Sequence, residues 1–158
     1  MIIKDEAKLR VKCSKASILE ASEIISKLER ELKRSCERGR SGIGLAAIQI
    51  GIPKNVVIVR VIGSNGRQYN VDLVNAKIEK GFDKVCFRKE GCLSFPGKFV
   101  RTERYKEILV VNNDVEPHSF IATGLFGVCI QHELDHLNGV LLPDLDIDAS
   151  RAIRASEK

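Results

Sequence analysis

What the 158-residue chain lacks narrows its class first. No apolar run approaches the length of a membrane span. The opening residues, MIIKDEAKLRVKC, mix charges of both signs and contain no apolar core, so neither a signal peptide nor an acidic-poor transit peptide is expected. There is no C-x-x-C pair, which excludes a zinc ribbon or a redox dithiol. The five cysteines, Cys13, Cys36, Cys86, Cys92 and Cys129, are odd in number and irregular in spacing. A disulfide framework is therefore not expected, and a reducing, cytoplasmic compartment is. Internal repeats and low-complexity segments are also missing.

What is there fits one domain with a real core: 44% hydrophobic and 30% charged residues. Net charge is +5, much of it before residue 40, in KLRVKCSKAS and ERELKRSCERGR. Interleaved acidic residues make this a solvated helix surface more readily than a polyanion site. SILE at 17–20 reads as a capping box, with the Ser17 hydroxyl and Glu20 carboxylate each closing a free N–H. Ile18, Ala21, Ile25, Leu28 and Leu32 then recur at helical spacing, and Gly39 supplies a stop. NVVIVRVI (55–62) is a β-branched run, SNGR (64–67) a hairpin turn into QYNVDLVN, and EILVVNN (107–113) and HSFIA (118–122) are further strands. Helical spacing returns from Gly124 to Asn138. It places Leu125, Val128, Cys129, His132 and His136 on one face, and Gly139 ends it. The order predicts an α+β fold with mostly antiparallel sheets and an N-terminal helix. The boundaries expected are one domain over 1–143 and a short polar tail over 144–158.

Within QHELDHL, His132 and His136 stand one helical turn apart, so one metal ion can bind both from the same side. Glu133 lies slightly further round, where a general base is needed; H-E-x-x-H serves metal hydrolases for this reason. Taken alone the pair also fits chance histidines on a helix. A third ligand is required. Asp144, Asp146 and Asp148 follow downstream, but EGCLSFPG (90–97) is the better source, because its glycines and proline fix an irregular backbone around Cys92. By itself Cys92 equally suits a core cysteine. In GIGLAAIQIG (42–51), Gly42 and Gly44 permit close backbone approach, and Gln49 needs a partner if buried. By itself that segment is a tightly packed helix–loop junction.

Taken together, GIGLAAIQIG, EGCLSFPG and QHELDHL resemble the three signature motifs of the peptide deformylases, in the family's order. The resemblance extends from the Ser17 helix to Leu142; it implies sheets packed around a central metal-binding helix and makes 1–143 a catalytic domain. It implies removal of the N-formyl group from N-formylmethionyl nascent peptides, with release of formate. It implies one divalent metal ion on Cys92, His132 and His136: Fe(II) in the cell, replaceable by zinc, nickel or cobalt. It makes Glu133 the general base, and Gln49 with the Leu93 N–H the stabilisers of the developing oxyanion. Ile43, Leu125, Val128 and Cys129 would line the methionine pocket. Ile43, Gly44 and Gly91 would pair with an extended peptide. Arg104 would stand behind the metal site, against Glu90 or Asp135.

Three departures from the family pattern stand out. The first residues lack a proline that is often found there. Phe95 replaces a more usual Ile or Val, which is expected to reshape the mouth. The chain stops soon after Leu142, where many members continue into a basic helix that docks on the ribosome; short forms exist, some encoded by viruses of bacteria. Weak, salt-sensitive ribosome contact is therefore expected through Lys27, Lys33, Arg34 or Arg38 rather than Arg151 and Arg154. No sequence-specific nucleic-acid contact is expected, and no membrane partner. The competing reading is a non-catalytic homologue that binds nascent chains or ribosomes, against which the presence of Glu133 and Gln49 argues.

Overall fold

The structure is a computed structural model that describes residues 1–39, 43–114 and 116–149. Gly42, Arg151 and Arg154 lie outside them. Two three-stranded antiparallel sheets enclose one helix. The first sheet has the order β1 (Gly44–Ala46), β2 (Val56–Ile62), β3 (Gln68–Val74); the second has β4 (Lys77–Cys92), β5 (Phe95–Asn112), β6 (His118–Thr123). Helix α1 (Glu6–Leu9) is one turn, α2 (Ile18–Glu37) covers the first sheet, and α3 (Gly124–Leu137) runs through the core.

Strand β2 shows why a continuous β-branched run belongs here. Val57, Val59 and Val61 face the cluster built on α3, with Ile130, Leu134 and Leu137. Val56 and Ile58 face the opposite cluster, with Leu28 and Leu32 of α2. The strand's two-residue period thus serves two cores at once. Each such side chain, fully buried, contributes roughly 1.5–3 kcal/mol.

The capping box forms as expected: Glu20 N–H donates to Ser17 Oγ at 3.2 Å, and Ser17 N–H to Glu20 Oε2 at 2.8 Å. The buried stripe of α2 differs in detail. It consists of Ala21, Ile24, Leu28, Leu32 and Ser35, while Ile25 is half-buried and Ile18 is 59% exposed. Steps of three and four centred on Leu28 put Ile24 on the contact line and Ile25 beside it, and Ile18 falls well round the helix from that line. Gly39 takes φ +76° just past the helix, as a stop requires.

The long ribbon of β4 and β5 was not foreseen over residues 77–106. Lys77–Cys92 is mostly exposed, with Glu90 its one buried residue, so no apolar alternation marks it. Pairing with β5 holds it, with bulges near Ile78, Phe87 and Gly91 that re-aim the strand as it nears Cys92. The two sheets are joined by Asn112, whose Oδ1 accepts from Val74 N–H at 2.9 Å and whose Nδ2 donates to Asp72 O at 3.0 Å. Beyond α3, a 3-10 turn occupies Leu142–Leu145, and its Asp144 pairs with Arg10 at 2.8 Å. No helix among the described residues is long and apolar enough to cross a membrane.

Candidate metal centre and cleft

Cys92 closes β4, and His132 and His136 project from α3, which is buried on most of its surface. Their donor atoms all lie within 4.8 Å of one another, with Cys92 Sγ 3.4 Å from His136 Nε2. The two imidazole centroids are 5.1 Å apart. Three protein donors of one thiol and two imidazoles suit a transition-metal cation, and a count of three rather than four is that of a catalytic site. The aspartates weighed as third ligands are engaged elsewhere: Asp144 with Arg10, Asp148 with Arg101 at 3.2 Å.

The tautomer of His132 is set from behind. Its Nδ1 lies 2.7 Å from Glu90 Oε1 and donates to it, which turns Nε2 toward Cys92 and His136. Glu90 is itself clamped: Thr102 Oγ1 donates to it, as do Arg104 Nε at 3.0 Å and Arg104 Nη2. Arg104 Nη1 reaches Asp135 Oδ2 at 2.6 Å. Arg104 therefore pairs with both carboxylates that the sequence offered.

The charges follow from this network. Burial opposes ionisation of Glu90, but hydrogen bonds from His132 and Arg104 outweigh it and hold the carboxyl at about 2. Burial also opposes protonation of His132, yet its hydrogen bonds to Cys92 and Glu90 and the nearby Glu133 charge raise it well above the ordinary histidine value. His136 is pushed down to about 3, by burial first and by His132 second, so it stands as a neutral donor. Burial raises Glu133 to about 7. Glu133 Oε1 lies 3.7 Å from His132 Nε2, and its Oε2 is buried without a partner. An unpartnered carboxylate oxygen beside three metal-type donors fits a site that receives a cation and a water.

These groups open onto a cavity of about 490 Å³. It is lined by every residue expected to bind substrate: Ile43, Gly44, Gly91, Leu125, Val128 and Cys129. Gln49, Leu93, Cys92, His132 and Glu133 line it too. Gly44 lies so close under Glu133 that a Cβ there would sit 3.0 Å from Glu133 Cγ. Gln49 is 1% exposed, and its Oε1 accepts from Ala46 N–H at 3.0 Å. Its Nε2 donates to Ser94 Oγ at 3.0 Å and, less closely, toward Cys92 Sγ at 3.6 Å. The amide thus already has protein partners. Phe95 does not line the cavity; the aromatic rings there are Phe87 and Phe99.

Sequence reasoning missed Ser94, Thr102 and Gln131. Gln131 ties α3 to β5, accepting from Tyr105 N–H at 2.9 Å and donating to Tyr105 O at 3.0 Å. A glutamine among buried apolar helix positions was the available signal.

An α+β fold with a Cys-His-His cluster and a buried glutamate at the head of a cleft is an arrangement that a metal-dependent hydrolase requires. The polypeptide deformylase family model matches residues 1–151, and the chain belongs to that family. The peptide deformylase of Agrobacterium fabrum is 41% identical over 105 residues, 65% of this chain and 62% of that protein. That of Helicobacter pylori is 38% identical over 126 residues, 75% and 71% of the two chains. Several of the curated relatives are thus matched over only about six tenths of their length. Among solved structures, a probable peptide deformylase from a Synechococcus phage superposes with TM-score 0.78 at 34% identity, covering 92% of this chain and 98% of its own. The Acinetobacter baumannii enzyme with Met-Ala-Ser bound gives 0.77 at 28% identity, covering 92% and 96%.

Proposed function

We propose that this chain hydrolyses the N-formyl group of N-formylmethionyl peptides on newly made proteins. The carrying observation is that Cys92, His132, Glu133, Gln49 and the apolar residues Leu125, Val128 and Cys129 share one cleft. The Met-Ala-Ser peptide in the Acinetobacter baumannii relative supports an N-terminal methionine as occupant. Cys92, His132 and His136 hold one divalent ion, Fe(II) in the cell, with zinc, nickel or cobalt as substitutes. Such an ion supplies Lewis acidity that makes a water nucleophilic at neutral pH. Glu133 takes the proton as the water oxygen attacks the formyl carbon. The carbonyl oxygen gains negative charge, and the Gln49 amide and Leu93 N–H donate to it. Glu133 then delivers its proton to the departing nitrogen, the C–N bond breaks, and formate leaves with a free amino terminus behind. The methionine side chain occupies the apolar end of the cleft, and the peptide pairs in extended form beside Ile43, Gly44 and Gly91.

The reading puts the protein in the cytoplasm, with nascent chains as partners and weak ribosome contact through Lys27, Lys33, Arg34 or Arg38. Metal analysis combined with formate release from a formyl-Met peptide tests it. One ion per chain with formate release is expected. Peptide binding without formate would favour the non-catalytic alternative.

A further inference from the structure

Eighteen described residues line the cleft, and Lys89 is the one lysine or arginine among them. Its ammonium sits 4.6 Å from the centroid of the Phe99 ring. That ring in turn lies over Gly91: a Cβ on Gly91 would meet Phe99 Cε1 at 2.8 Å. Lys89 and Phe99 are both exposed, Phe99 by 58%. The stacking fixes the ammonium above the edge of β4 that leads to Cys92, while leaving it open to a ligand. The cleft's two carboxylates do not neutralise it. Glu90 is buried and held by Arg104 and His132, and Glu133 is buried at the metal cluster.

We propose that Lys89 is a specificity-determining residue that favours formylated peptides with an acidic side chain at the second or third position. The inference rests on the deformylase reading. With the formyl group at Cys92 and the methionine beside Gly91, an extended peptide advances about 3.3 Å per residue along β4. Lys89 lies two residues further along that strand, so the peptide's next two side chains come within reach of its long, flexible stem. Glu133 and the apolar residues Leu125, Val128 and Cys129 come to the cleft from α3, whereas Lys89 comes from β4 and is the one lysine or arginine among the described lining residues. Aromatic stacking leaves the ammonium's hydrogens available to a carboxylate, and part of its hydration is already displaced by the Phe99 ring.

The test compares kcat/KM for formyl-Met peptides carrying Asp, Ala or Lys at position two, and separately at position three. Each variant is judged by its own acidic-to-neutral ratio, so a general loss of activity does not affect the reading. A partly exposed ion pair predicts a ratio of about two- to fivefold in the wild type, carried in KM and shrinking as salt rises. Lys89→Arg should keep the ratio, Lys89→Met should bring it to one, and Lys89→Glu should invert it. A wild-type ratio of one at both positions, or a ratio unchanged in Lys89→Met, overturns the assignment. Failure to release formate from the neutral peptide by the metal-loaded wild type would instead overturn the deformylase reading.

Discussion

Arg104 and Arg10 make an instructive pair, because each grips a carboxylate with two N–H groups. Arg10 donates to Asp144 at 2.8 and 2.9 Å, and Arg104 donates through Nε and Nη2 to Glu90. The surroundings differ. Side-chain exposure is 44% and 36% in the first pair, and 5% and 5% in the second. Removing Arg10 leaves Asp144 to water and salt, so Arg10→Met should leave the unfolding midpoint nearly unchanged. Removing Arg104 takes the guanidinium from buried Glu90, leaving it only Thr102 and His132, and also frees Asp135. Loss of one partner from a buried pair costs about 3–5 kcal/mol. At roughly 2–4 °C per kcal/mol for a chain of this size, Arg104→Met should lower the midpoint by about 6–20 °C. Adding Glu90→Gln to Arg104→Met removes the stranded charge and should recover part of the loss. Thermal unfolding of the three variants at one pH and salt concentration reads this directly. Equal shifts for Arg10→Met and Arg104→Met, or a second substitution that merely adds its own loss, would refute the argument.

Other expectations concern the site itself. Cys92→Ala or His132→Ala should purify without the single equivalent of metal expected of the wild type, and unchanged stoichiometry would remove them as ligands. Glu133→Ala should keep its metal and lose turnover by roughly 10²–10⁴-fold, the usual contribution of a general base; wild-type rates would exclude that role. Gly44→Ala places a methyl 3.0 Å from Glu133 Cγ and 3.1 Å from Ile58 O, so it should depress kcat more than stability. A fall in unfolding midpoint with kcat preserved would show that Gly44 serves packing alone.

Legibility from sequence divided along a physical line. Elements that bury an apolar face announced themselves: β2 by its β-branched run, α2 by its capping box and stripe, α3 by the return of helical spacing. The β4–β5 ribbon did not over residues 77–106, because β4 is mostly exposed and the buried face of β5 there carries Thr102 and Arg104 beside Val100. That gap mattered for the site. The candidate metal donors and Glu133 stood out in the sequence because their chemistry restricts residue type and spacing. Lys89 and Phe99 were not, since a lysine and a phenylalanine in an unrecognised strand carry no chemical signature. Their role follows from a register and a bulge that only the three-dimensional pairing supplies. The interior of α2 shows the same limit in miniature. Period alone could not separate Ile24 from Ile25, because both lie within one step of Leu28.

The polar links between α3 and the second sheet add to the apolar core around α3 in bringing the cluster together. Cys92 comes from a strand end, and the histidines come from a helix; strand and helix must be locked for three donors to converge. Two buried braces do this. Gln131 grips the backbone of Tyr105, fixing α3 against β5. Arg104, from β5, grips Glu90 of β4 and Asp135 of α3, fixing all three elements at one point. Both braces begin next to a donor, since Gln131 precedes His132 and Asp135 precedes His136. A helix that carries donors at positions i and i+4 has their neighbours at i−1 and i+3 on an adjoining face, turned toward the sheet. The same helical period that aligns the ligands therefore aligns their supports. A single register shift of α3 would lose both together.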